Sequence, residues 1–485
     1  MRKNTNGRKP KTNIILSLWF ANLFLPGTAF WVAKNKTMSI IISLFFLITY
    51  AALGFFYIKY GLEEIVLTIF SNSEYILYLA YALYSLTALY AIFVLIGIIY
   101  LIKKSQFRKL SSSLLLFLTI IVVSLVTIVG VWGGMTLNNI RSTLQTVLEE
   151  PAKEPYKAPL NDNSSGKTND TKPVVIDNVK PWGNDDRINI MILGSDEGDD
   201  RIGTRPDILM VASVNTVNGS TQLFNIPRNL ENFTFPEGTQ AAEEFPNGYD
   251  DLINSVWTWA SDYPELYPNS SNPGLQATQD ALGATLGLDI EYSMVVNMQG
   301  FSDLVTSIGG VTVNVPRDLP KGKTGEINPP MLTAGQDKVL NGDDALWFVR
   351  SRADSNDYDR ILRQRCMISA ITKELTGGQI IVTLPSLLEN LRDNFVTTFS
   401  QEDIKDWAEL FNKVRNNQIQ GYAFTEDIIN VQDPDLDFIK QTVQESIAGP
   451  VVATEPPASS NPEEPTPAVP TDQPVTEVQQ PNPYC

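Results

Sequence analysis

Apolar positions in the first 135 residues run together instead of alternating, and three of the runs are long. Residues 38–58, 75–102 and 113–132 are each predominantly apolar, and a helix crossing a bilayer core needs about 20 such residues. The run at 14–33 is interrupted by Asn22, Pro26 and Gly27, so it predicts a re-entrant or interfacial hairpin instead of a fourth crossing. Beyond residue 187 the pattern changes. INIMILG at 188–194 is continuously apolar, as a strand covered on both faces should be. DILMVASVNT (207–216) and TQLFNIPR (221–228) flank Asn218-Gly219, a strong hairpin signal. Residues 274–287 have helical spacing, EYSMVVN (291–297) reads as a strand, and a second helix is expected near 299–308. Gly309-Gly310 turns into VTVNV (311–315), whose valines alternate with polar residues. LWFVR (346–350) reads as a strand leading into a helix that begins near Asp357 or Asp359, either of which suits an N-cap. Helices alternating with strands predict an α/β domain with a mixed sheet covered on both sides.

The same patterning divides the chain. Residues 1–36 form a basic N-terminus with the interrupted hairpin, 37–135 the three transmembrane helices, and 136–186 a tether. The domain itself spans 187–447, and 448–485 is a Pro-rich tail carrying Cys485. Residues 151–182 are polar and punctuated by proline. Within them Gly166-Lys167-Thr168 mimics the end of a phosphate-binding loop, but Asn161 stands where its first glycine belongs and no strand precedes it. The stretch 449–484, rich in Pro, Glu, Thr and Val, has the composition of a disordered segment.

Charge adds an orientation. Lys9, Lys11, Lys34 and Lys36 precede the first span, and Lys103, Lys104, Arg108 and Lys109 lie between the second and third. The intervening loop carries Glu63, Glu64 and Glu74. Three crossings keep both basic clusters inside and place everything after Trp132 outside, which predicts a multi-pass cell-membrane protein with an extracellular domain. The spans hold no strong charge and so read as an anchor, not a transport path. A formal net charge of −17 and the lack of a basic face with interleaved aromatics disfavour nucleic acid as a partner. The chain has no histidine, which excludes Ser-His-Asp and Cys-His catalysis and histidine-based zinc sites.

Against that acidic balance, WFVRSRADSNDYDRILRQR at 347–365 concentrates arginine. Guanidinium is always charged and binds carboxylate or phosphate oxygens two at a time. Arg350 and Arg352 would share a face of an extended segment, while Arg360, Arg363 and Gln364 overlap on one side of a helix. A solvated helix end with surface ion pairs would explain the charges. Trp347, Phe348 and Val349 make a poor solvent face, however, and favour a polyanion site, most simply for a pyrophosphate. Asp196 follows the first strand and Asp207 opens the second. Two carboxylates at strand ends suit Mg²⁺ (or Mn²⁺), although an acidic surface loop with Asx turns would look the same. Arg228 ends the hairpin's second strand and would approach Asp196 if the first three strands are neighbours. Cys366 and Cys485 pair as a disulfide if the domain is exported, or remain two free thiols with Cys366 in the core.

In order and spacing, ILGSD (192–196), TRPD (204–207), NIPRN (225–229), VNMQGFSDLVTSIGGVTVNV (296–315), LNGDDALWFVRSR (340–352) and DYDRILRQR (357–365) resemble the LytR-CpsA-Psr family of cell-wall ligases. The likeness covers about residues 187–375. It implies an α-β-α sandwich with a long apolar polyprenyl pocket. It also implies transfer of a glycopolymer from a polyprenyl-pyrophosphate carrier to peptidoglycan, or to a surface-protein acceptor, assisted by Mg²⁺. By the same resemblance Asp196 and Asp207 are metal ligands, and Arg228, Arg350, Arg352 and Arg360 bind pyrophosphate. Asp357 and Gln364 orient that cluster, to which Arg363 belongs. One departure is Asn229, where the family usually has aspartate after the arginine. A polyprenyl-pyrophosphate hydrolase and a non-catalytic wall scaffold or sensor would use the same residues. On the helix after Arg360, the face through Gln364, Met367 and Ile371 passes from phosphate-binding to apolar, as a lipid phosphate would need, or else simply joins the core.

Overall fold

The computed structural model describes residues 12–33, 36–104, 109–148, 180–195, 205–322, 329–351, 357–375, 394–449 and 484–485. It separates into two compact units, Met1–Thr146 and Val147–Cys485.

The first unit is helical: α1 (Thr12–Phe24), a 3-10 turn (Thr28–Ala33), α2 (Lys36–Phe70), α3 (Ser73–Lys104) and α4 (Lys109–Val147). Lys36–Phe70, Ser73–Lys103 and Ser112–Gln145 are long and apolar enough to cross a membrane, whereas α1 is shorter. α2 breaks at Gly61, whose φ of 74° lies in the left-handed region that glycine tolerates. Asn22 accounts for the polar interruption in the first apolar run. Its side-chain oxygen accepts the N–H groups of Gly27 and Ala29 at 3.0 and 3.4 Å, and its amide donates to the Val94 carbonyl at 3.3 Å. Amides freed where the backbone turns at Pro26-Gly27 are thereby satisfied without water, as a lipid environment demands. Large apolar side chains such as Ile41, Leu47, Phe55 and Ile58 face outward. That is the inverse of a water-soluble domain.

The second unit is built on a six-stranded sheet. Its strands are β1 (Arg187–Ser195), β2 (Pro206–Asn215), β3 (Thr221–Ile226), β4 (Tyr292–Asn297), β9 (Phe395–Thr397) and β10 (Gln420–Ala423), in the order β10-β3-β2-β1-β4-β9. β1 runs antiparallel to β2 and parallel to β4, so the sheet is mixed. Asn218-Gly219 turns the β2–β3 hairpin, with Gly219 at φ 80° and its N–H on the Asn215 carbonyl.

Alternation along the central strands sends side chains to two helical layers. Met191 and Leu193 point with Leu209, Val211 and Phe224 toward α6 (Val256–Asp262), α7 (Pro273–Leu286) and α12 (Leu436–Ala448). Ile190 and Ile192 point with Ala212 and Leu223 toward α10 (Asp357–Glu374) and α11 (Ile404–Arg415). A short α5 (Gln240–Glu244) leads into the first layer. The result is an α-β-α sandwich around a mixed sheet. Beside it, α8 (Met298–Ser307), the antiparallel pair β5 (Val311–Val315) and β8 (Gly335–Leu340), and α9 (Gly342–Arg350) close a second apolar cluster with α10. A two-residue pair, β6 (Leu319–Pro320) and β7 (Met331–Leu332), borders it.

The strand expected at LWFVR (346–350) is instead the end of helix α9. Five apolar residues in a row cannot separate a buried strand from a buried helix. The deciding signals lie upstream. Asn341 caps the helix, accepting the Asp344 N–H at 2.9 Å, and Asp343 and Asp344 occupy the favourable first turn. Ala345, Phe348 and Val349 then fall on one buried side. α10 begins at Asp357, where the sequence places a helix start.

Candidate functional site: two arginine clusters

The first cluster sits at one end of the sheet. Ser195 pairs with Pro206 on one side and Asn297 on the other, and Leu209 pairs with Ile226. This register brings the end of β1, the start of β2 and the ends of β3 and β4 together. Asp207 and Arg228 meet there in a charge-assisted hydrogen bond from the Arg228 guanidinium to an Asp207 carboxylate oxygen. Both remain about one-third exposed, at 33% and 38%, so a ligand can reach them. Asp207 thus meets Arg228; Asp196, which the sequence also places near this edge, lies outside the described residues.

Position 229 has a clear partner. The Asn229 amide donates to a Glu426 carboxylate oxygen at 2.7 Å, tying this end of the sheet to the segment after β10. An aspartate here would set two carboxylates against each other, which is unfavourable. Asparagine thus removes a repulsion that this chain's Glu426 would create.

The second cluster joins α9 to α10. Arg363 is fully buried, the largest side chain with almost no exposure among the described residues. Its guanidinium donates to the carbonyls of Phe348 at 2.5 Å and Ser351 at 2.6 Å, and its Nε to that of Asp359 at 3.3 Å. The last carbonyls of a helix lack intrahelical partners and carry the negative end of its dipole, so a cation seated there satisfies both. Burial lowers the Arg363 pKa, but an arginine stays charged through such a shift. Gln364, also buried, donates its amide to the Val349 carbonyl at 3.3 Å. Arg363 and Gln364 therefore clamp the end of α9 onto α10, and Arg363 does not present itself to a ligand as the sequence suggested.

The two arginines beside the clamp differ in exposure. Arg350, in the last turn of α9, is exposed, with its guanidinium over the Trp347 ring at 5.9 Å. Arg360 is buried one turn before Arg363 and Gln364. Asp359 accepts from Arg317 at 2.8 Å, a residue that reading the sequence alone did not single out. Its only signal was a basic residue two positions after the alternating β5. Asp357 is the first residue of α10, and Arg352 lies outside the described residues. Met367 and Ile371 pack with Val311, Val313 and Phe348 in the second apolar cluster. They are core residues, and their face of α10 is not a lipid track.

Cys366 and Cys485 form a disulfide, with Cα atoms 5.5 Å apart across a sequence separation of 119. Tyr484 comes with it and is buried in the second apolar cluster.

Among the described residues no three Cys, Asp or Glu side chains gather as a metal cage. A cation that keeps most of its water needs fewer protein ligands. Asp207 offers a hard oxygen donor, and the Ser195 hydroxyl next to Asp196 is buried with no hydrogen-bond partner. An orphaned buried oxygen is costly unless something fills its place. These donors fit a hydrated Mg²⁺.

Comparison with known proteins gives a consistent placement. The model of the LytR_cpsA_psr family matches residues 154–446. A polyisoprenyl-teichoic acid–peptidoglycan teichoic acid transferase TagU of Bacillus mycoides is 26% identical over 301 residues, 61% of this chain and 84% of that protein. The TagU of Enterococcus faecalis is 27% identical over 270 residues, 54% of this chain and 79% of that protein. Among solved structures, TagV of B. subtilis matches with a TM-score of 0.39 at 20% identity, covering 54% of this chain and 97% of that one.

Proposed function

The chain belongs to the LytR_cpsA_psr family, and from that premise we propose that it is a membrane-anchored phosphotransferase. It moves a glycopolymer from a polyprenyl-pyrophosphate carrier to peptidoglycan. The relatives named for transfer of teichoic acid from a polyisoprenyl carrier to peptidoglycan support this substrate class. The observation that carries the reading is Arg350, an exposed arginine on a helix end fixed by the buried Arg363 and Gln364. A preorganised guanidinium of this kind stabilises phosphate charge without reorganising during the reaction.

In the proposed step an acceptor hydroxyl oxygen forms a bond to the glycosyl-linked phosphorus. The P–O bond to the second phosphate breaks, polyprenyl phosphate leaves with the bonding electrons, and the hydroxyl proton passes to water. Such a transfer depends on in-line positioning and charge neutralisation more than on a protein nucleophile, which suits a chain without histidine. Arg228, Arg350, Arg352 and Arg360 bind the pyrophosphate, and Arg363 and Gln364 position Arg350. Asp196 and Asp207 would hold Mg²⁺, which neutralises phosphate charge when bound. Arg228 keeps the Asp207 carboxylate oriented.

The three apolar helices anchor the enzyme. With the basic clusters inside, the domain lies on the extracellular face beside its wall acceptor. The test is a transfer assay with the full chain in detergent, a labelled polyprenyl-pyrophosphate glycan and peptidoglycan. Label should enter the peptidoglycan fraction as polyprenyl phosphate is released. Release of free glycan phosphate in the presence of acceptor would mean hydrolysis instead, and no turnover at all would leave only a scaffold.

A further inference from the structure

Tyr484 is separated by more than a hundred residues from every group it touches, yet it reaches into the arginine-bearing helix pair. Its ring packs edge-on against Phe348 at 5.8 Å, and the Phe348 carbonyl is the one that Arg363 holds at 2.5 Å. Its backbone carbonyl accepts the Asn314 N–H at 3.0 Å, fixing it to β5. Its hydroxyl faces the Arg317 guanidinium, which pairs with Asp359, one residue before Arg360. The neighbouring Cys485 is bonded to Cys366 on α10. Tyr484 therefore touches β5, α9 and, through Arg317, the first turn of α10.

We propose that Tyr484, held by the Cys366–Cys485 disulfide, is a positioning residue that locks the α9–α10 junction and so sets the pyrophosphate-binding geometry of Arg350 and Arg360. The physical reason is the placement of each contact. The ring packs against Phe348 from outside α9, and Phe348 lies in the same last turn that carries Arg350. A void at that ring forfeits its packing contacts on one side and lets the helix end shift. The hydroxyl sets Arg317, and through it Asp359, beside the same wedge. The disulfide keeps the wedge docked at α10 instead of leaving it to an equilibrium between docked and free ends of the same chain. Its consequence for substrate rests on the function proposed above, but the lock itself does not.

The two parts are separated by measuring them separately on the full chain in detergent. Amide hydrogen exchange reads the lock at residues 346–351 and 359–365, with β1 and α7 as internal controls. Calorimetric titration with geranylgeranyl pyrophosphate reads the site. Tyr484→Ala should raise exchange in both segments at least tenfold, leave β1 and α7 unchanged, and weaken binding of the probe about tenfold. Tyr484→Phe keeps the ring and loses only the hydroxyl, so it should restore most of both readouts. Cys485→Ser should fall between Phe and Ala. Unchanged exchange at the junction, or a loss of protection spread evenly over the domain, would overturn the lock. Raised exchange at the junction with unchanged affinity would overturn its positioning role. Failure of the wild-type chain to bind the probe would count against the proposed substrate class and leave the exchange result to decide the lock.

Discussion

Arg228 and Arg363 are the same residue type in one domain, yet the fold uses them in opposite ways. Arg228 sits at an open end of the sheet, partly exposed and paired with the equally exposed Asp207. Arg363 has no exposure and spends its donors on backbone carbonyls of α9 and α10. A partly exposed ion pair contributes little to stability, typically under about 1 kcal/mol, and it stays within a ligand's reach. A buried cation with several carbonyl partners is a structural part, and removing it strands those carbonyls. Arginine density in a sequence therefore does not measure the size of an anion site. Part of the charge holds the rest in place.

The comparison breaks most visibly at Arg363. Arg363→Ala should leave the Phe348 and Ser351 carbonyls buried without partners, at about 1–3 kcal/mol each. A fall in the melting temperature of the sheet-bearing domain, read by calorimetry, should accompany any loss of activity. At the other end, Asp207→Ala and Arg228→Ala should each cut transfer by about a hundredfold or more while the melting temperature hardly moves. A transfer assay paired with thermal unfolding separates the two patterns. Full activity of wild type in excess chelator would remove the metal from the account.

Acidity sharpens the contrast between site and scaffold. Burial raises the carboxyl pKa of Asp280 on α7 to about 7, and burial likewise raises that of Glu291 to about 7 despite the Asn189 N–H on its carboxylate. Both are raised above their ordinary values of 3.8 and 4.5, so the folded state holds protons that the unfolded state has lost. Stability should therefore fall as pH rises from about 4 through 7. Asp280→Asn should flatten that slope in denaturant titrations at several pH values. A domain whose stability climbs over the same interval would contradict the burial of these groups. The smallest effect is expected at position 229. Asn229→Asp introduces a like charge beside Glu426 and should cost less than about 1 kcal/mol, and Glu426→Gln should cancel it.

Much of this was legible in the sequence because local patterns and global fold agree there. The three long apolar runs, the Asn218-Gly219 hairpin and the strand at 188–194 all declare themselves by periodicity and turn chemistry. LWFVR did not, since a five-residue apolar run has no period to read, and its helix is set by the Asn341 cap and the two aspartates after it. Motif spacing brought out Asp207, Arg228, Arg350, Arg360 and Arg363 as candidates, but no pattern in a sequence tells an arginine turned to solvent from one that binds a carbonyl. Asp196 and Arg352 fall outside the described residues. Arg317 and Tyr484 went unread because their roles depend on contacts 42 and more residues away.

The division of labour between arginines is tested most directly by setting Arg350→Lys beside Arg363→Lys in one pair of measurements, affinity for geranylgeranyl pyrophosphate and melting temperature. Lysine keeps the charge and loses the two-pronged geometry. Arg350→Lys should weaken binding about tenfold or more with an unchanged melting temperature, while Arg363→Lys should lower the melting temperature by several degrees. Wild-type affinity in Arg350→Lys, or a melting temperature in Arg363→Lys that matches wild type, would contradict the assignment of one arginine to the ligand and the other to the fold.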